Sequence, residues 1–307
     1  MLGYFGPEGT FTHQALVTYL EREGDSASAE EIRPYATVGG VLDAVRSGEV
    51  KAGLVPIENS IEGGVSATID NLSEGRPLII VAEVLLPIQF GLYVRPGTTL
   101  EGITKIITHP HAAAQVRGWV SSHLPGAEVT TEGSTAAAAA EVATPDSAFD
   151  AAVCADVAGR LYGLEPAARD IADNTDAVTR FVLVSKPGPP PPRTGHDKTS
   201  VILHMREDHP GALRDMLEQF ALRGVNLCRL ESRPAKDKLG NYYFSIDAEG
   251  HISDARMAEA LGGLHRTCKK IDFLGSYPRA DRTEPVVQAG YRDSDFTRAA
   301  TWLDGLR

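Results

Sequence analysis

At 307 residues the chain exceeds one ordinary domain, and a prior of one domain per ~150 residues gives two, with room for a tail. With 42% hydrophobic and 23% charged residues, the composition is that of a folded globular protein and excludes wholesale disorder. A net charge of −11 and a pI near 5.3 exclude nucleic acid or an anionic membrane surface as the main partner, because the long-range field repels both, so any anionic substrate must be held by local donors.

In chain order, the N-terminus Met1-Leu2-Gly3-Tyr4-Phe5-Gly6-Pro7 has no basic region ahead of a sustained apolar stretch, so no signal peptide is expected and the mature chain is read as starting here. Helices are expected over 11–23 and 39–47, and strands over 52–55 and 78–83. The longest apolar run, 77–92, is interrupted by Glu83, Pro87 and Gln89 and falls short of a membrane span. Strands follow over 91–94 and 105–108, helices over 112–123 and 135–143, and strands over 151–154 and 181–184. Such alternation predicts an α/β sheet covered on both faces. The chain changes character at 83–89 and turns polar again at 170–179, which reads as two crossings between two lobes, about 1–80 with 175–185 and about 85–170. A cleft between lobes is a favoured ligand site.

Residues 186–197, beginning Lys186-Pro187-Gly188-Pro189-Pro190-Pro191-Pro192, read as a stiff linker closing a domain at 185. Beyond it come a strand (200–205), helix (211–223), strand (226–233), strand (242–247), helix (253–264) and strand (270–274). This βαββαβ order is ferredoxin-like and fills a second domain over 198–276, with Leu213, Leu217 and Phe220 forming one apolar stripe of its first helix. The tail 277–307 has no assigned role and carries a short helix at 296–306 with Trp302. Cys154, Cys228 and Cys268 form an odd, sparse set, read as buried small hydrophobes in a reducing, cytoplasmic compartment.

Three polar turns each precede a helix: 6–12 with Thr10, 58–64 with Asn59, Ser60 and Glu62, and Gly133-Ser134-Thr135. Free N–H groups and the helix dipole make each a cradle for a carboxylate, or else an ordinary N-cap. A fourth cluster, 173–181, leads into an apolar strand, where Arg180 either clamps a carboxylate in a two-pronged bond or bridges Asp173 or Asp176. His109-Pro110-His111 follows a strand near the mouth of the cleft, yet no third ligand stands at a metal spacing, so no metal is expected. Phosphate-loop, dinucleotide and nucleophile-elbow motifs are missing, which leaves cofactor-free chemistry.

Taken together, Gly6-Pro7-Glu8-Gly9-Thr10-Phe11-Thr12, Val55-Pro56-Ile57-Glu58-Asn59-Ser60 with Glu62-Gly63, His109-Pro110, Ser134-Thr135-Ala136 and Thr179-Arg180-Phe181 resemble, in order and spacing, the prephenate dehydratase family. The segment from Gly211-Ala212-Leu213 through Asn226-Leu227 to Glu231-Ser232-Arg233-Pro234 resembles the ACT domain of that family. The likeness spans residues 1 to about 276. It implies an α/β, bilobal catalytic domain of the type II periplasmic-binding-protein kind, then the ACT domain, assembled as a homotetramer that is a dimer of dimers. The implied reaction takes prephenate to phenylpyruvate, carbon dioxide and water without a cofactor.

The resemblance makes Thr179 the essential residue, its hydroxyl aimed at the departing oxygen, with Glu62 or His109 holding the proton network. Thr10, Asn59, Ser60, Ser134, Thr135, Arg180 and Phe181 are the expected substrate contacts. Two positions depart from the family pattern: His111 stands where Gln often follows His-Pro, and Ala177 where Asn often precedes the threonine by two. L-Phenylalanine is the implied allosteric ligand, held by the turn Asp208-His209-Pro210-Gly211 with Ala212 and Leu213, and closed by Asn226, Leu227 and the stretch Glu231-Ser232-Arg233-Pro234 across a subunit interface. An arogenate dehydratase and a non-catalytic small-anion-binding protein are the rival readings.

Overall fold

A computed structural model describes residues 1–24, 32–131, 133–207, 209–235 and 241–307, which form two compact units, Met1–Val65 with Val84–Phe181, and Ser66–Glu83 with Val182–Arg307. Asp208, expected in the regulatory turn, lies outside the described residues. No helix among the described residues is long and apolar enough to cross a membrane.

The first elements in the chain are β1 (Leu2–Phe5), α1 (Phe11–Glu23), β2 (Ile32–Tyr35), α2 (Val38–Ser47), β3 (Ala52–Asn59) and β4 (Gly63–Gly64). Helix α1 starts where Thr10, in an extended conformation, accepts the His13 N–H on its side chain. It stops at Gly24, whose φ of 76° lets its own N–H turn back to Leu20 and Glu21. One face, with Ala15, Leu16 and Leu20, is buried. The chain continues through α3 (Ser66–Ser73), β5 (Ile79–Pro87), β6 (Gly91–Val94), β7 (Lys105–Thr108), α4 (Pro110–Gln115), α5 (Arg117–His123), β8 (Glu128–Thr131), α6 (Thr135–Val142), β9 (Ala151–Cys154), α7 (Asp156–Leu161), β10 (Glu165–Ala168) and β11 (Val178–Ser185).

Two sheets result, ordered β2-β1-β3-β11-β5 and β10-β6-β9-β7-β8. Reading the second backwards from β8, both follow one plan: second, first, third, crossing strand, fourth. The fold is thus the expected α/β one with two like lobes. Within the first unit the crossings run side by side, Ile88 N–H donating to Ala177 O at 2.7 Å and Ile171 N–H to Phe90 O at 3.0 Å. The helix expected over 112–123 is instead two, because the chain leaves helical geometry at Val116 (φ −119°, ψ 7°).

In the second unit, β12 (Asp197–His204), α8 (Ala212–Ala221), β13 (Leu227–Pro234), β14 (Tyr242–Glu249), α9 (Ala255–Thr267) and β15 (Lys270–Pro278) realise the βαββαβ order. Their sheet is antiparallel, ordered β13-β14-β12-β15. Alternation along the strands sends Val201, Leu203, Phe244 and Ile246 into a core with Met216, Phe220, Met257 and Leu264 of the helices. The other face carries charge: Arg229 opposite Asp247, Glu231 opposite Ser245, Arg233 opposite Tyr243. The tail holds α10 (Asp293–Asp304), on which Trp302 stays exposed. Cys154 and Cys268 are buried as expected, but Cys228 on the edge strand β13 is exposed, because an edge strand lacks a neighbour on one side.

Candidate active site

All the residues expected to contact the substrate lie in the first unit, on strand ends and helix N-termini. Strand β3 ends in a tight hairpin. Asn59 stabilises it by accepting the N–H groups of Ile61 (2.9 Å) and Glu62 (3.1 Å) on Oδ1, the local turn for which asparagine is suited. Its Nδ2 therefore points away, and it donates to Oγ1 of Thr179 on β11 at 2.8 Å. A flipped amide would set its NH2 against two N–H donors, so the orientation follows from the network. Thr179 thus accepts from Asn59, and its hydroxyl proton is not committed to that partner. Ser60 fastens the hairpin tip to the same strand: its N–H donates to Val178 O (2.9 Å) and its Oγ accepts the Val178 N–H (3.0 Å).

Side chains alternate along β11, so Arg180 leaves on the face opposite Thr179. It is buried and meets Glu58 Oε2 at 3.4 Å, a residue itself adjacent to Asn59. Neither bridge weighed for Arg180, to Asp173 or to Asp176, is formed. Asp173 instead caps α5, accepting from Gly118 N (2.8 Å) and Trp119 N (2.9 Å), and Asp176 belongs to an Asn174 turn. Phe181 is 2% exposed and packs in the core.

Glu62 reaches from the hairpin to the other lobe. Its Oε2 lies 2.5 Å from His111 Nδ1, and its Oε1 accepts from Gln115 at 3.4 Å. His111 and Gln115 are four residues apart on α4, which places both on one helix face. His109 sits behind them as the N-cap of α4, accepting the His111 N–H at 3.3 Å. Burial pushes the His109 imidazole below its usual range and His111 adds to this, while Glu62 opposes. The structure therefore joins Thr179, Asn59, Glu62, His111 and His109 in one line of contacts. Glu62 meets His111, not His109, a pairing that the i, i+4 spacing of His111 and Gln115 signals once Glu62 is placed opposite.

Two helix N-termini also meet within the first unit. A methyl group on Gly9 (φ +84°) would lie 3.4 Å from Ala136 Cβ, so the turn before α1 abuts the first turn of α6. Thr10 donates its hydroxyl to Pro7 O (2.9 Å), and Ser134 Oγ accepts the Ala137 N–H (3.0 Å). Both side chains act as caps, and the N–H groups they leave uncapped, together with Thr135, are what the turns offer to an anion.

In the second unit, Gly211 (φ +96°) caps α8, and Ala212 N–H donates to His209 O at 3.0 Å. A hollow of about 320 Å³ beside this turn is lined by Met205, His209, Ala212, Met216, Thr267 and Cys268. Leu213 is exposed and Pro210 accepts from the His209 ring. Asn226, Leu227, Glu231 and Ser232 lie along the edge strand β13 or just before it, with Asn226 O accepting Glu249 N–H at 2.8 Å and Glu231 beside Arg229.

Residues 2–189 match the prephenate dehydratase family and residues 199–266 the ACT domain. Over its whole length the chain is 46% identical to a prephenate dehydratase of Amycolatopsis methanolica, covering 97% of it. The crystal structure of a prephenate dehydratase in complex with L-Phe from Arthrobacter aurescens superimposes with a TM-score of 0.92 and 48% identity, over 99% of this chain and 98% of that one. GqqA, described as a novel type of quorum quenching acylase, is similar at a TM-score of 0.80 and 31% identity, over 90% of this chain and 97% of that one. By full-length identity and by the match over most of its sequence, the chain belongs to the prephenate dehydratase family.

Proposed function

We propose that this chain is a prephenate dehydratase, a hydro-lyase taking prephenate to phenylpyruvate, carbon dioxide and water, with phenylalanine as feedback ligand at its ACT domain. In the reaction the bond from the ring to its carboxylate breaks and that electron pair enters the ring. The ring hydroxyl leaves, taking up a proton to become water, and aromatisation drives the step. The protein must supply orientation, anion binding and a donor at the leaving oxygen.

Thr179 is that donor. The observation that carries the reading is the Asn59 bond to Thr179 Oγ1 at 2.8 Å, which occupies the oxygen as acceptor and leaves its proton for the substrate. A threonine is too weak an acid to surrender a proton freely, so it polarises and relays. Such a donor contributes about 3 kcal/mol, roughly a hundredfold in rate. Glu62 supports the proton network through His111, with His109 holding α4. Ser60, Thr135 and the N-termini capped by Thr10 and Ser134 receive the two carboxylates. Arg180 and Phe181 support the site from its far side and from the core. No metal or cofactor takes part.

The reading includes a catalytic region over 1–185, a linker over 186–197, an ACT domain over 198–276, a cytoplasmic location and a dimer of dimers. Phenylalanine binds where His209, Pro210, Gly211, Ala212 and Leu213 face Asn226, Leu227, Glu231 and Ser232 of a neighbouring subunit. The relative crystallised with L-Phe supports this ligand. Purified protein incubated with prephenate should release phenylpyruvate, and phenylalanine should lower the rate. Faster release of phenylalanine from arogenate would shift the substrate, and cleavage of an N-acyl substrate without either would favour the acylase relative.

A further inference from the structure

Within the second unit, the segment Ser66–Glu83 is fastened to the charged face of the regulatory sheet at three points. Arg233 of β13 grips Asp70 of α3 with two parallel bonds, Nε to Oδ1 at 3.1 Å and Nη2 to Oδ2 at 3.2 Å. Tyr243, directly opposite Arg233 on β14, donates its hydroxyl to Asp70 Oδ1 at 2.8 Å. Lys198 of β12 meets Glu83 at 2.8 Å, with both side chains buried, and Glu83 also accepts the Ala280 N–H at 3.0 Å. Gly275 (φ +124°) lies flush on the Ile80 backbone, where any Cβ would stand 2.3 Å from Ile80 O.

Both ends of this segment continue into the candidate active site. Val65, immediately before it, donates to Ile57 O at 2.8 Å in the hairpin that carries Asn59 and Glu62. Beyond Glu83 the chain runs along β5 to Ile88, which bonds Ala177, two residues before Thr179. A two-pronged arginine bond fixes orientation as well as distance, and α3 transmits a tilt as a rigid rod.

We propose that Asp70 is the positioning residue through which β13 governs the Asn59–Thr179 pair, so that phenylalanine bound beside Glu231 and Ser232 alters turnover by displacing Arg233. This rests on the proposed phenylalanine regulation. A ligand that shifts β13 moves Arg233, Arg233 turns α3, and α3 pulls the hairpin that aims Asn59. Mere fastening would show as stability alone, whereas coupling shows in the response to the ligand.

The test uses the full chain as wild type, Asp70→Asn and Tyr243→Phe, measuring L-phenylalanine binding, prephenate turnover with and without phenylalanine, and hydrogen exchange over 59–65. Asp70→Asn should bind phenylalanine and turn over prephenate, yet the effect of phenylalanine on kcat/KM should shrink by roughly fivefold or more. The exchange change at 59–65 that phenylalanine produces in the wild type should vanish with it. Tyr243→Phe, which keeps the ion pair, should lose part of the response and stands in if Asp70→Asn does not fold. A wild-type response to phenylalanine in both variants would overturn the proposal. A wild type that binds phenylalanine without any change in turnover would overturn the regulatory reading itself, a result visible before any variant is made.

Discussion

Asn59 and Thr179, 120 positions apart in sequence, meet at 2.8 Å with the amide as donor, because the Asn59 oxygen is already taken by the N–H groups of Ile61 and Glu62. One residue thereby shapes the hairpin and sets the direction in which the threonine hydroxyl can act.

Asn59→Asp keeps the shape and the turn but replaces the donor by an acceptor. The Thr179 proton would then turn toward the new carboxylate and away from the substrate. We expect kcat to fall about a hundredfold with the melting temperature little changed. Steady-state kinetics beside thermal denaturation checks this, and unchanged kcat would show that the direction of the bond does not matter.

The Glu62–His111 contact is half-exposed, with side chains 40% and 60% accessible, so its worth is at most about 1 kcal/mol. His111→Ala should therefore lower kcat/KM by no more than roughly fivefold. Steady-state kcat/KM of both proteins measures it, and a larger loss would show that His111 does more than hold Glu62.

Arg180 is buried against Glu58, so its replacement should act on the fold before it acts on binding. Glu58 is itself 38% accessible, so for Arg180→Met we expect a loss on the order of 1 kcal/mol, read as a lower denaturant midpoint. A raised KM with stability intact would instead make Arg180 a direct carboxylate ligand.

Burial holds the His13 imidazole below its usual range against the pull of Glu8, and its Nδ1 accepts the Gly9 N–H at 3.1 Å. The unfolded chain binds that proton first, so stability is complete above the unfolded value and is lost as pH falls below about 6.5. His109 is shifted in the same direction and adds to the loss. Melting temperatures between neutral and mildly acidic pH should fall more for the wild type than for His13→Gln.

Much of this was legible in local sequence. Thr10 before an apolar 3.6-residue stripe and Gly24 after it bound α1, and Ser134 bounds α6 in the same way. The βαββαβ order followed from spacing alone. Other features have no local mark. Val116 fits an unbroken apolar pattern, so the break between α4 and α5 is set by Asp173 drawing the N–H groups of Gly118 and Trp119. Strand β2 contains Pro34 and lies at a sheet edge, where a missing N–H is tolerated. The grip of Arg233 on Asp70 links residues 163 apart, and neither residue type announces its partner. The motifs picked out Thr179, Asn59 and Ser60 together, but strand alternation, which separates Arg180 from Thr179, asks for the register of β3 on β11 before it has meaning.

The most direct test compares wild type, Thr179→Ser and Thr179→Val at saturating prephenate, following phenylpyruvate. Serine keeps the hydroxyl and should retain most of the turnover, while valine, of nearly the same shape, should lose about a hundredfold or more. Valine turning over at the wild-type rate would contradict the account.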